Sequence, residues 1–144
     1  MGIASLIAWI LTAGGGAFML AKWVGGGGHR DRTRTHLPPA VVFGHFALAA
    51  LGLVLWIVYV VTDNHPIGWV ALALLVPVAA LGVVMVMRWL PVYRSRHQPV
   101  GGGGASALTD APERSFPVAV VIGHGVLAVA TVVLGLLAIL EIGG

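Results

Sequence analysis

Four long apolar stretches, residues 3–24, 39–62, 67–90 and 116–142, are separated by shorter polar segments. Each reaches the roughly 20 helical residues needed to cross a ~30 Å hydrocarbon core. Within them the only formal charges are Lys22, Arg88 and Glu141, all close enough to a span end to snorkel to an interface. Lipid offers no partner for an unpaired backbone amide or carbonyl, and four spans cannot close a barrel, so each stretch is predicted to be a helix. Pro77 falls in the middle of the third span and should kink it. The first span lacks a basic leader and is too long for the apolar part of a signal peptide, so it is expected to be retained. The predicted fold is therefore an all-α membrane protein, one four-helix transmembrane domain over residues 1–144.

Composition supports this class. Of 144 residues, 58% are hydrophobic and 9% charged, against about 25% charged in an ordinary soluble domain. The same aliphatic richness excludes a disordered chain. There is no cysteine, which removes disulfides, iron–sulfur ligation, thioether-linked haem and thiol catalysis.

The charges are distributed asymmetrically. Lys22, Arg30, Arg32 and Arg34 flank the first connection, and Arg88, Arg94, Arg96 and Arg114 flank the third; the opposite side carries Asp63, Glu141 and the termini. The positive-inside rule predicts N-out and C-out, with both basic connections in the cytoplasm of a bacterial inner membrane. That placement accounts for the basic balance without nucleic acid. The glycine runs 25–28 and 101–104 follow no strand and have no P-loop lysine, so they are expected to be flexible linkers. Residues 63–66 form a tight turn joining antiparallel neighbours.

The second and fourth spans open alike. Residues 38–49 and 117–128 share the pattern P-x-A-V-V-x-G-H-x-x-L-A, which aligns Gly44-His45 with Gly123-His124. In the first and third spans, residues 16–23 and 82–89 share G-x-x-M-x-x-K/R-W, aligning Gly16 with Gly82 and Lys22 with Arg88. Matched Val and Leu are cheap in membrane helices, whereas coincident Pro, Gly and His are not. The pattern predicts two parallel repeats of one helical hairpin, about 1–62 and 67–142, related by an axis along the membrane normal. His45 lies six residues past Pro39 and His124 seven past Pro117, so both fall roughly 9–10 Å below the same face, level with Gly16 and Gly82.

An ionisable side chain inside a span is costly and marks function by default. A lone histidine is more often polar glue that hydrogen-bonds a neighbouring helix. Two in one layer and one motif are also explained by a single ligand gripped from both sides. Haem b fits: its iron takes two axial imidazoles, and a twofold axis in its plane exchanges them. Gly16, Gly82, Gly44 and Gly123 would make room for the flat macrocycle, and Lys22 and Arg88 would pair with its propionates. Zinc fits less well, because it wants four protein ligands. Trp9, Trp23, Trp56, Trp69 and Trp89 read mostly as interfacial anchors, with Trp56 deeper and facing another subunit. Met19 and Met85 read as filler.

Two histidines in one layer of a four-helix membrane bundle resemble the small membrane b-type cytochromes and the haem-bearing anchor subunits of respiratory enzymes. That resemblance implies electron transfer, with quinone or a partner redox centre near the cytoplasmic face, and association with other membrane subunits or with copies of itself. Members of those groups often carry a second histidine pair near the opposite surface. This chain has none in its spans, which implies one haem. The competing expectations are a cofactor-free accessory subunit of a larger membrane complex and a small transporter component. The chain shows no hydrolase or transferase residue set, and a transporter's polar midplane would have only Thr12, Thr131 and Pro77 to draw on.

Overall fold

The computed structural model describes residues 1–97 and 110–142; the glycine run 101–104 lies outside the described residues. Four helices are long and apolar enough to cross a membrane. They are α1 (Gly2–Gly25), α2 (Pro39–Thr62), α3 (His65–Arg94) and α4 (Val118–Ile139). Short 3-10 turns cover Ser95–His97 and Pro112–Ser115.

The helix ends follow local chemistry. Pro39 and Pro66 sit in first turns, where a missing N–H costs nothing. Asp63 ends α2 in the left-handed region at φ 53°, and Asn64 caps α3 by accepting from the Ile67 amide at 3.4 Å. α3 therefore starts two residues before the expected position 67. It continues through Pro77 and Pro91 to Arg94, four residues past the expected end. α4 is shorter than the expected 116–142. Pro117 is its extended N-cap, and Glu141 turns left-handed at φ 57° just beyond Ile139.

α1 packs chiefly on α4, and α2 on α3 across the short 63–64 turn, while α1 meets α2 and α3 meets α4 less closely. Two apolar clusters fill the ends of the bundle. One gathers Trp9, Trp56, Tyr59, Ala71, Leu72 and Ile139 at the end bearing the short 63–64 turn. The other gathers Trp23, Leu37, Val42, Trp89 and Phe116 at the end bearing the long connections. The outer surface is apolar, with Val61 78% and Val76 71% exposed, while Ser5, Thr131 and Glu113 are buried. This inverts the distribution of a water-soluble bundle and suits a multi-pass protein surrounded by lipid.

Two expectations are corrected. Four of the five tryptophans are core residues; only Trp69 is exposed. Trp56 is fully buried within the chain rather than facing another subunit, its ring centre 4.8 Å from Tyr59 and 6.1 Å from Trp9. The space comes from glycines on neighbouring helices, since a methyl on Gly52 would lie 3.0 Å from the Trp9 ring. The first glycine run is an ordered turn rather than a linker. Gly27 adopts φ 82°, which favours glycine, and Gly28 leaves the room that the Trp23 indole fills.

Candidate functional site

His45 and His124 project from α2 and α4 at a level between the two apolar clusters. Their ring centres are 6.2 Å apart and the ring planes cross at 55°. His45 Nδ1 lies 2.9 Å from the carbonyl oxygen of Val78 on α3, and His124 Nδ1 lies 2.8 Å from that of Thr12 on α1. A carbonyl only accepts, so each Nδ1 carries the proton and donates it. Each Nε2 is then left with a lone pair, and among the described residues no hydrogen bond reaches either one.

The two acceptor carbonyls are equivalently placed. Gly82 is four residues after Val78, and Gly16 four after Thr12. In an α-helix the residue four further on sits over a given carbonyl, and its side chain would screen that oxygen. Glycine removes the screen. A methyl on Gly82 would lie 3.4 Å from His45 Cε1, and one on Gly16 would lie 3.1 Å from His124 Cε1. The space above these glycines is thus taken by the imidazoles themselves. A methyl on Gly15 would lie 3.7 Å from His124 Cβ, and one on Gly44 would lie 3.8 Å from Leu81 Cδ1. A methyl on Gly123 would meet nothing within 4 Å.

The surroundings of the two rings differ. Beside His124, the Thr12 and Thr131 hydroxyls lie 3.4 Å apart, and the buried Ser5 hydroxyl donates to the Thr131 carbonyl at 3.2 Å. Beside His45 the acceptor residue is valine. Lys22 and Arg88 are both exposed at the end bearing the long connections. The Lys22 ammonium lies 5.5 Å from the centre of the Phe18 ring, and Arg88 Nη1 reaches the His36 carbonyl at 3.5 Å.

Above the histidines, the matched tryptophans hold the connections. Trp23 Nε1 donates to the Thr35 hydroxyl at 2.9 Å, and Trp89 Nε1 to the Glu113 carbonyl at 3.1 Å. Glu113 has no exposed surface. Sequence reasoning missed it, because a glutamate in a polar connection looks like any solvated charge. The Pro112 that precedes it was the available signal for an ordered turn there. Nearby, Asp31 Oδ1 accepts from the Thr33 amide at 2.9 Å and its hydroxyl at 2.6 Å, bonds that hold the Asp31 carboxyl below its usual range.

Among the described residues, no three His, Cys, Asp or Glu side chains converge as metal ligands. Among the described residues, the histidine layer thus brings two imidazoles together without a third such side chain. The chain matches no protein-family model, and no curated protein or solved structure is significantly similar to it.

Proposed function

We propose that this is a membrane-embedded electron-transfer protein, or a subunit of a respiratory complex, that holds one b-type haem through His45 and His124. The observation that carries this reading is the 6.2 Å between the ring centres. A metal–imidazole bond is about 2.0–2.1 Å. With about 1.2 Å from nitrogen to ring centre on each side, two imidazoles that shared one metal from opposite sides would have ring centres about 6.4 Å apart. Two protein ligands without a third suit a metal already held equatorially by a macrocycle. Both Nδ1–H groups donate to carbonyls, as metal-ligating histidines commonly do, and this fixes the tautomer with Nε2 free.

A bound haem would supply a one-electron iron couple, with quinone or a partner redox centre exchanging the electron. The residues of the chain do the rest. The Val78 and Thr12 carbonyls orient the rings and hold the proton on Nδ1, which would leave Nε2 to a metal. Gly16 and Gly82 let the rings reach those carbonyls. Lys22 and Arg88 are the cations that would hold carboxylates at the connection end, and the apolar clusters above and below keep water out.

We read the fold as two parallel copies of one hairpin. Its support is geometric equivalence: beyond the histidine–carbonyl pairs, Gly2 faces Val60 within one hairpin as Gly68 faces Ile139 within the other. The basic connections then lie in the cytoplasm and both termini outside, in a bacterial inner membrane. A cofactor-free accessory subunit is the second reading, and one observation favours it: each imidazole already has a hydrogen-bond partner.

Absorption spectroscopy of the purified protein separates the two. The haem reading expects a low-spin spectrum that sharpens on dithionite reduction. His45→Ala and His124→Ala should each abolish it, and His65→Ala should not. A protein that stays colourless after reconstitution with haem overturns the haem reading in favour of the accessory subunit.

A further inference from the structure

Glu113 is the only acidic side chain with no exposure among the described residues. Both of its oxygens are taken by the first connection. Oε1 accepts from the His36 amide at 2.6 Å, and Oε2 from the Thr35 hydroxyl at 3.0 Å. Oε1 also stands 3.4 Å from His36 Nδ1, a buried atom with no hydrogen bond of its own. A buried carboxylate beside an unpartnered buried imidazole nitrogen is a ready place for one more proton: with it the two form an ion pair, and without it a neutral imidazole faces a buried carboxylate. The pair has a path to water, since 36% of the His36 side chain is exposed.

The same residues cap the end of the bundle nearest the histidines. Trp89 on α3 donates to the Glu113 carbonyl, and Trp23 on α1 reaches its carboxylate through the Thr35 hydroxyl. His124 lies six residues, roughly 9 Å, below the start of α4, which Glu113 closely precedes. One negative charge added at the histidine layer is therefore on the order of 10–15 Å from the pair, across protein and with little water between. By Coulomb's law a negative charge added at that distance attracts a proton on the pair.

We propose that His36 and Glu113 together bind one proton from the connection side when the histidine-layer site gains one electron, and release it when the electron leaves. The inference rests on the haem reading: the electron comes from the quinol or partner centre named there, and the proton from water at the exposed edge of His36. Other charged or titratable side chains on the surrounding elements are Lys22 on α1, His29, Arg30, Asp31, Arg32 and Arg34 in the first connection, Arg88 and Arg94 on α3, Arg96 in the turn after it, and Asp110 and Arg114 on Glu113's own segment. Of these side-chain types and imidazole, only imidazole ordinarily changes charge between pH 5 and 8.

The test is a redox titration of the full-length, haem-loaded protein from pH 5 to 9. Reduction tightens proton binding, so the wild-type midpoint potential falls as pH rises, by about 59 mV for each tenfold change in proton affinity. Glu113→Gln and His36→Gln should both flatten the curve. His36→Gln keeps the amide that Glu113 accepts from, so it tests the pair even where Glu113→Gln fails to assemble. An infrared difference spectrum between the two redox states should show a carboxyl signal that Glu113→Gln removes. A pH-independent wild-type potential with an intact low-spin spectrum overturns this inference and leaves the haem reading standing. A pH dependence that persists in both variants overturns it as well, and purified protein that takes up no haem overturns both.

Discussion

Gly16 and His124 are fitted to each other: a methyl on the glycine would stand 3.1 Å from Cε1 of the imidazole, closer than side chains normally pack. His124 is at the same time tied to the Thr12 carbonyl one turn away. The ring cannot retreat from an added methyl without losing that bond. Gly16→Ala should therefore destabilise the protein by about 1–3 kcal/mol through overpacking. Gly82→Ala should cost less, because its contact to His45 Cε1 is 3.4 Å. Gly123→Ala has open space, and replacing a mid-helix glycine should be neutral or stabilise by about 0.5–1 kcal/mol. Unfolding in detergent should rank the three in that order, and equal effects at Gly16 and Gly123 would contradict the fitted contact.

The tryptophans provide a second contrast. Trp56 is fully buried between glycine-cleared helices, and its Nε1 donates to the Gly2 carbonyl at 3.3 Å. Trp56→Ala should cost about 3–5 kcal/mol. Trp69 is 48% exposed and has no such cage, so Trp69→Ala should stay within about 0.5 kcal/mol. The comparison uses the same unfolding assay, and similar losses at both positions would restore the interfacial-anchor reading for the group.

How much the sequence carried depends on which physical signal each feature leaves. The four helices were legible because the bilayer sets a length of apolar chain that little else explains. Histidines 45 and 124 stood out because imidazole is costly at that depth, whatever surrounds it. Their acceptors were not legible, since a backbone carbonyl on Val78 or Thr12 has no residue identity. The only trace was glycine one turn later, which was read as space for a ligand rather than for the ring. The indoles were misplaced because tryptophan's preference for interfaces is an average, and here glycines at 52 and 135 clear room for Trp9 and Trp56. Glu113 was hidden for the opposite reason: a connection full of arginines gives no hint that one carboxylate is sealed inside it.

Thr35 holds three partners at once. Its hydroxyl donates to Glu113 Oε2 and accepts from Trp23 Nε1 at 2.9 Å and from the Leu37 amide at 3.2 Å. Thr35→Val keeps the shape and strands all three, at about 1–3 kcal/mol for each group left buried and unpaired, less where water enters. Trp23→Phe removes only one donor and should cost less from the lost bond, about 1 kcal/mol beyond the change in ring size. In a double-mutant cycle, the Trp23→Phe cost should shrink when Val already occupies position 35, because the shared bond is gone. Additive losses would mean that the indole acts by packing alone.

The proposed orientation is open to a clean labelling experiment because the chain has no cysteine of its own. Asp63 is 92% exposed in the two-residue turn between α2 and α3, and Arg32 is exposed in the connection between α1 and α2. These positions lie at opposite ends of α2, a helix of 24 residues or about 36 Å. A cysteine at either is therefore expected to meet water on one side only. With the basic connections inside, Asp63→Cys should react with an impermeant maleimide added to intact cells, and Arg32→Cys only after the membrane is opened. The reverse pattern would place the arginines outside against the positive-inside rule. It would also move the histidine layer, and any electron exchange there, to the outer half of the membrane.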